Sequence, residues 1–175
     1  MRAGVGRSGA DPLEGQPAQP KISGDKEKEA GAQAVKRGRF TIVVADYHRK
    51  YADGMVGAAK KVLQGHRVEA VRVPGTFEVP LAVKRALRKR PDAVLALGLV
   101  WQGETPHAGL ILKSATDALM QMMLKSDTPI LHHLVGVKTE AQARARCLGK
   151  LNRGREAAQA ALRMWKLKAG GRRGR

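Results

Sequence analysis

A single cysteine, Cys147, stands in 175 residues. One thiol excludes an intramolecular disulfide and a cysteine-rich zinc site. The count fits a reducing, cytoplasmic setting. Aromatic residues make up only 3% of the chain, so the core must be built from Val, Leu, Ala, Ile and Met. Acidic residues are also scarce, 15 against 33 Lys and Arg, for a formal net charge of +18. No apolar run approaches the roughly 20 residues needed to span a bilayer. The N-terminus, MRAGVGRSGADPLEGQP, lacks the apolar stretch of a secretory signal, and Asp11 and Glu14 argue against a transit peptide.

Hydrophobic residues nevertheless reach 43%, enough for a core and too many for a wholly disordered chain. The length suits one domain. Residues 1–39 carry 8 basic and 5 acidic side chains among many Gly, Ala, Pro and Gln. Residues 164–175 carry 5 basic and no acidic ones and end in GGRRGR. The expected organisation is a mostly disordered tail over 1–38, a folded domain over 39–166 and a basic disordered tail over 167–175. Between the charge-counted tails, residues 40–163 hold 20 basic and 10 acidic residues. An excess of this kind fits a nucleic-acid surface, a pocket for anionic substrates, or a merely solvated basic surface.

Strand and helix signals alternate through the folded part. Phe40–Ala45 is a short β-branched run. Met55, Val56, Ala59, Val62 and Leu63 then share one helical face, with Gly65 placed as a C-cap. Arg67–Val73 predicts a second strand, Phe77–Arg88 a helix, and Ala93–Leu99 a strand apolar on both faces. A long helix carries Ile111, Ala115, Ala118, Leu119 and Met122, and Ile130–Val135 predicts a fourth strand. Helices over Thr139–Cys147 and Arg153–Lys166 complete the pattern. The Ala-rich face of the last helix and the Met-rich face of the third are expected to pack between subunits. Alternation of this kind implies right-handed crossovers and a parallel sheet covered on both sides.

In such sheets ligands bind beyond the carboxyl ends of the strands. That rule selects Asp46–His48, Pro74–Glu78, Trp101–His107 and His132–Val137, where most of the rare side chains collect. Gly103-Glu104-Thr105-Pro106-His107 precedes a helix, whose free N–H groups and a Thr hydroxyl would bind an anion. His107 at that strand tip could move protons near neutral pH. The same residues also suit a plain helix start, with Thr105 as N-cap, Pro106 first in the helix and His107 simply exposed. Gly75 suits a close backbone approach or positive φ, or an ordinary strand-to-helix turn. Tyr47 offers a flat face to a heteroaromatic ring, or packs on the core edge. Arg144 and Arg146 suit phosphate, or a solvated helix face. His132-His133 suggests no metal site, since adjacent strand residues point to opposite faces and no third ligand is near in sequence. There is no dinucleotide fingerprint, phosphate-binding P-loop or nucleophile elbow.

The segments PGTFEVP, GETPH after an apolar strand, TEAQARAR and NRGREAAQAAL, in this order and spacing, resemble the lumazine synthase family from about Arg39 to Trp165. The resemblance implies an α/β fold, a three-layer αβα sandwich with a four-stranded parallel sheet of flavodoxin-like topology. It implies a transferase of riboflavin biosynthesis. That enzyme condenses 5-amino-6-(D-ribitylamino)uracil with 3,4-dihydroxy-2-butanone 4-phosphate, releasing phosphate and water without a metal or organic cofactor. It further implies homopentamers, which in some members build a sixty-subunit shell, with the active site between neighbours.

Carried over by residue, Tyr47 matches an aromatic that stacks on the pyrimidine, and Gly75, Thr76, Phe77 and Glu78 match the loop holding the ribityl chain. Val100, Trp101 and Gln102 match the pyrimidine pocket, Gly103, Glu104 and Thr105 the phosphate loop, and His107 the proton-transferring histidine. His132 falls where a neighbouring subunit often contributes a Phe. Arg146 matches the phosphate-binding arginine when counted forward from Gln142. Counting back from Asn152 lands on Ala145, so Arg144 stays open. The chain departs from the family's common pattern at His48, at Trp101-Gln102 and at Ala108. A second expectation, from the basic tails, is a shell-forming scaffold of reduced activity that binds nucleic acid or other polyanions. A flavin carrier lacks support, because the first loop has no Ser/Thr-rich cradle.

Overall fold

The computed structural model describes residues 37–171. The tail expected over 1–38 lies outside the described residues apart from 37 and 38, as do residues 172–175. Within the described chain, the order is β1 (Arg39–Ala45), α1 (Arg49–Val62), β2 (Arg67–Val73), a 3₁₀ turn (Thr76–Glu78), α2 (Val79–Leu87), β3 (Ala93–Trp101), α3 (His107–Ser126), β4 (Ile130–Val137), α4 (Glu140–Cys147) and α5 (Arg153–Gly171). The four strands form one parallel sheet in the order β2-β1-β3-β4. This is the expected three-layer α/β sandwich of flavodoxin-like topology.

Strand alternation divides the core into two halves. Phe40, Ile42, Val44, Leu95, Leu97 and Leu99 face α1 and α5, while Val43, Ala45, Val94 and Ala96 face α2 and α3. Because β1 and β3 are central and covered on both faces, they read as continuous apolar runs. Edge strand β2 is largely exposed, and Lys89 of the α2–β3 turn pairs with its Glu69.

Small residues bring α5 onto α1. A Cβ on Gly154 would lie 2.0 Å from the Met55 carbonyl oxygen, and Ala157, Ala158 and Ala161 are fully buried beside it. The Ala-rich face expected between subunits therefore fills the core of one subunit. Buried Asn152 locks this crossing. Its Oδ1 accepts from the Gly154 and Arg155 amides at 2.9 and 3.2 Å, capping α5. Its Nδ2 donates to the Gly54 carbonyl at 3.2 Å and to the Cys147 carbonyl.

Several boundaries differ from expectation. Helix α1 ends at Val62 with Leu63 as C-cap, and Gly65, at φ 87°, makes the turn into β2 instead. Pro80 sits in the first turn of α2, and Thr76–Glu78 ahead of it forms a 3₁₀ turn. Strand β4 continues to Val137, so His132 and His133 lie in mid-strand. Helix α5 continues through Gly171, past Lys166. Among the described residues no helix is long and apolar enough to cross a membrane.

Candidate active site

The carboxyl ends of β1, β2 and β3 and the start of α3 enclose a cleft of about 390 Å³. Tyr47, His48, Gly75, Thr76, Leu99, Val100, Trp101, His107 and Ile111 line it. The loop after β1 is tied down where it leaves the sheet. Asp46 receives Arg72 of β2, which also bonds Asp53 of α1, and the Asp46 amide donates to the Val73 carbonyl at 2.8 Å. The two acids raise the Arg72 pKa. Beyond this anchor Tyr47 is 80% exposed, a flat ring at the cleft mouth. His48 stands edge-on to it at 4.9 Å and to Trp101 at 6.1 Å. Burial pushes the His48 pKa down.

Gly75 is extended at φ −140°, so it has no need of positive φ. What its lack of a side chain provides is room, since a Cβ there would come within 2.9 Å of Glu78 Oε2. The Glu78 carboxylate thus folds back beside the cleft. Thr76 is buried, its hydroxyl seated over Gly98, where an added Cβ would meet Leu134, Ala45 and Thr76.

The start of α3 differs from the plain helix start expected for GETPH at its cap. Thr105 does not cap the helix. Pro106 is the N-cap residue and no side chain accepts a first-turn N–H there. His107 is the first helical residue and faces the cleft from an exposed position. The first-turn amides, with the exposed Gly103–Thr105 loop before them, are left free for an anion.

Of the residues singled out from sequence, Tyr47, Gly75, Thr76, Val100, Trp101 and His107 converge on the cleft. Phe77 is 63% exposed on the 3₁₀ turn, and Gln102 lies against Gly136 at the end of β4. His132 is held by Thr116, whose hydroxyl donates to the Leu112 carbonyl at 2.6 Å and lies 2.9 Å from His132 Nε2. With the hydroxyl proton committed to Leu112, Nε2 is the donor. Burial lowers the pKa of both His132 and His133. Arg144 donates to Glu140 at 3.0 Å, whereas Arg146, on α4, forms no ion pair among the described residues. No Lys or Arg among the described residues lines the cleft. Among the described residues no three His, Cys, Asp or Glu side chains gather as a metal site.

Three lining residues went unassigned from sequence. His48 follows Tyr47 directly, Leu99 lies in the apolar run of β3, and Ile111 is one helical turn after His107. That i, i+4 spacing was the available signal for Ile111.

The family model described as 6,7-dimethyl-8-ribityllumazine synthase matches residues 37–169. The chain belongs to this family. A 6,7-dimethyl-8-ribityllumazine synthase of Salinibacter ruber is 37% identical, over 72% of this chain and 85% of its own length. Another from Kineococcus radiotolerans is 39% identical over 71% and 81%. That of Azorhizobium caulinodans is 35% identical over 86% of this chain and 98% of its own. The lumazine synthase match covers every residue that forms the cleft.

Proposed function

We propose that this transferase of riboflavin biosynthesis binds its two substrates in the cleft between β1, β2, β3 and α3 and makes 6,7-dimethyl-8-ribityllumazine there. The observation that carries the reading is the convergence of a flat aromatic, Tyr47, an exposed histidine, His107, and an uncapped helix start on one cleft. Tyr47 stacks on the pyrimidine of 5-amino-6-(D-ribitylamino)uracil, against the wall of Val100 and Trp101. Glu78, with Gly75 to Phe77, receives the ribityl hydroxyls. Gly103–Thr105 and the first amides of α3 hold the phosphate of 3,4-dihydroxy-2-butanone 4-phosphate.

The substrate amine attacks the ketone and water leaves, giving an imine. Loss of a proton next to the imine drives out phosphate. The enol left behind tautomerises to a ketone, and the second nitrogen attacks that new carbonyl to close the ring with loss of water. His107, beside both the anion loop and the stacking ring, relays these protons.

Among the described residues the cleft has no Lys or Arg side chain, and an anion held by backbone amides alone is incompletely neutralised. We infer that Arg146, with His132, serves the site of an adjacent subunit in a homopentamer, in some arrangement up to a sixty-subunit shell. Support comes from α3, which buries only Ala108, Ala115 and Leu119 and leaves Leu110, Met120 and Leu124 exposed. An apolar face of this extent favours association. The deciding experiment mixes the full chain with both substrates and follows lumazine absorbance and fluorescence. No product from a folded, assembled chain would refute the assignment.

A further inference from the structure

His48 lines the cleft with its imidazole edge-on to two rings at once, Tyr47 at 4.9 Å and 87° and Trp101 at 6.1 Å and 79°. It is partly buried, and as the N-cap residue of α1 it makes no capping bond. Its backbone is fixed by the first turn of α1, because the His48 carbonyl accepts from the Tyr51 and Ala52 amides at 3.0 and 3.1 Å. Trp101 is fixed too, packed on the larger core half at the end of β3. Tyr47, by contrast, is 80% exposed, and His48 is the one aromatic neighbour it has among the described residues. A ring that exposed loses rotamer freedom when it stacks on a ligand, unless something already holds it. Edge-to-face contact supplies that restraint, and the chain Trp101–His48–Tyr47 transmits it from the core to the mouth of the cleft.

We propose that His48 is a positioning and specificity-determining residue that pre-sets Tyr47 for stacking on a flat heterocycle, acting through its ring and not through a hydrogen bond. The proposal rests on the assignment of the cleft to lumazine synthesis. It concerns one substrate alone, the ring-bearing one, since the anion loop Gly103–Thr105 is not among the residues that line the cleft beside Tyr47 and His48.

The test compares His48→Ala, His48→Asn and His48→Phe in the full chain. Phenylalanine keeps a flat ring and has no hydrogen-bonding nitrogen. Asparagine keeps polarity and has no ring. An aromatic pair of this geometry corresponds to an effect of about three- to tenfold. The Ala and Asn variants should raise the KM for the ribitylaminouracil by that factor, leaving the KM for the butanone phosphate unchanged, and the Phe variant should restore it. Equilibrium titration with 6,7-dimethyl-8-ribityllumazine should show the same order of affinities. In a Tyr47→Ala background, His48→Ala should add almost nothing, because the ring it orients is gone. Recovery by Asn and not by Phe would overturn the proposal, as would parallel shifts in both KM values or an undiminished His48→Ala effect without Tyr47. Should the unaltered chain bind the lumazine but not form it, the catalytic assignment fails, and the titrations still decide the role of His48. A chain that neither forms nor binds it sinks both.

Discussion

Arg144 and Arg146 are two residues apart on α4, and the structure gives them different surroundings. Arg144 is already engaged, its Nε donating to Glu140 at 3.0 Å across one helical turn. Arg146 is less exposed and has no acidic partner among the described residues. A guanidinium committed to a carboxylate must give up that bond before it can hold phosphate, whereas a free one need not. Arg146→Lys keeps the charge and loses the bidentate fork. One charge-assisted hydrogen bond contributes about 1.5–3 kcal/mol, or about 10- to 150-fold in binding. Steady-state kinetics should therefore show the KM for the butanone phosphate raised within that range by Arg146→Lys, with the KM for the ribitylaminouracil nearly unchanged. Arg144→Lys exchanges one exposed ion pair for another of similar kind, where such pairs contribute ~0–1 kcal/mol, and neither KM should move appreciably. The reverse pattern, with Arg144→Lys selectively weakening the phosphorylated substrate, would refute the reasoning and shift the register through α4.

His107→Ala should lower kcat by about 10²- to 10⁴-fold with a smaller effect on either KM, and single-turnover lumazine formation reads this directly. The Cys147 thiol is buried and pushed up to about 11. A disulfide reagent at pH 8 should leave it unmodified in the folded chain and label it on unfolding, and rapid labelling under native conditions would contradict its burial. Burial holds His132 and His133 below the ordinary histidine pKa, so the unfolded chain binds these protons more readily. Their contribution to stability is full above about pH 6.5 and declines as pH falls toward their folded pKa values. Thermal melts should therefore show a loss of Tm on acidification below about pH 6.5 that shrinks in His133→Gln. Gly154→Ala would place a Cβ within 2.0 Å of the Met55 carbonyl, and overpacking of this kind should destabilise by about 1–3 kcal/mol or more in denaturant titration.

The double covering of β3 was legible because it leaves an unbroken apolar run, and the alternation of strand and helix signals predicted the parallel sheet. Edge strand β4 was harder. His132 and His133 interrupt its apolar pattern, and the sequence suggested a strand over Ile130–Val135, although pairing with β3 continues to Val137. Pro80 carried the information that α2 starts late, because proline is accommodated in a first helical turn and disrupts an interior one. The length of α5 past Lys166 was obscured by basic residues that resemble a tail, although nothing before Gly170 opposes a helix. In the cleft, the residues adjacent to strand ends were found. Of the three left unassigned, Leu99 and Ile111 are apolar and look like core in any one-dimensional pattern, and His48 follows Tyr47 in the first loop.

The same residues that build the core also set where the chemistry sits. Asn152 is buried and bonds at once to α5, to the Gly54 carbonyl of α1 and to the Cys147 carbonyl at the end of α4. Helix α1 begins just after the Tyr47-His48 loop, and α4 carries Arg146. A single side chain therefore couples the helix that follows the Tyr47-His48 loop to the helix that carries Arg146. Removing it leaves the buried Cys147 carbonyl without this donor, takes a second donor from the part-buried Gly54 carbonyl and leaves α5 without its cap, and one unsatisfied buried group costs about 1–3 kcal/mol. The crossing of these helices depends on a stretch of small residues, Gly154, Ala157, Ala158 and Ala161, that let α5 approach α1 closely enough for Asn152 to reach.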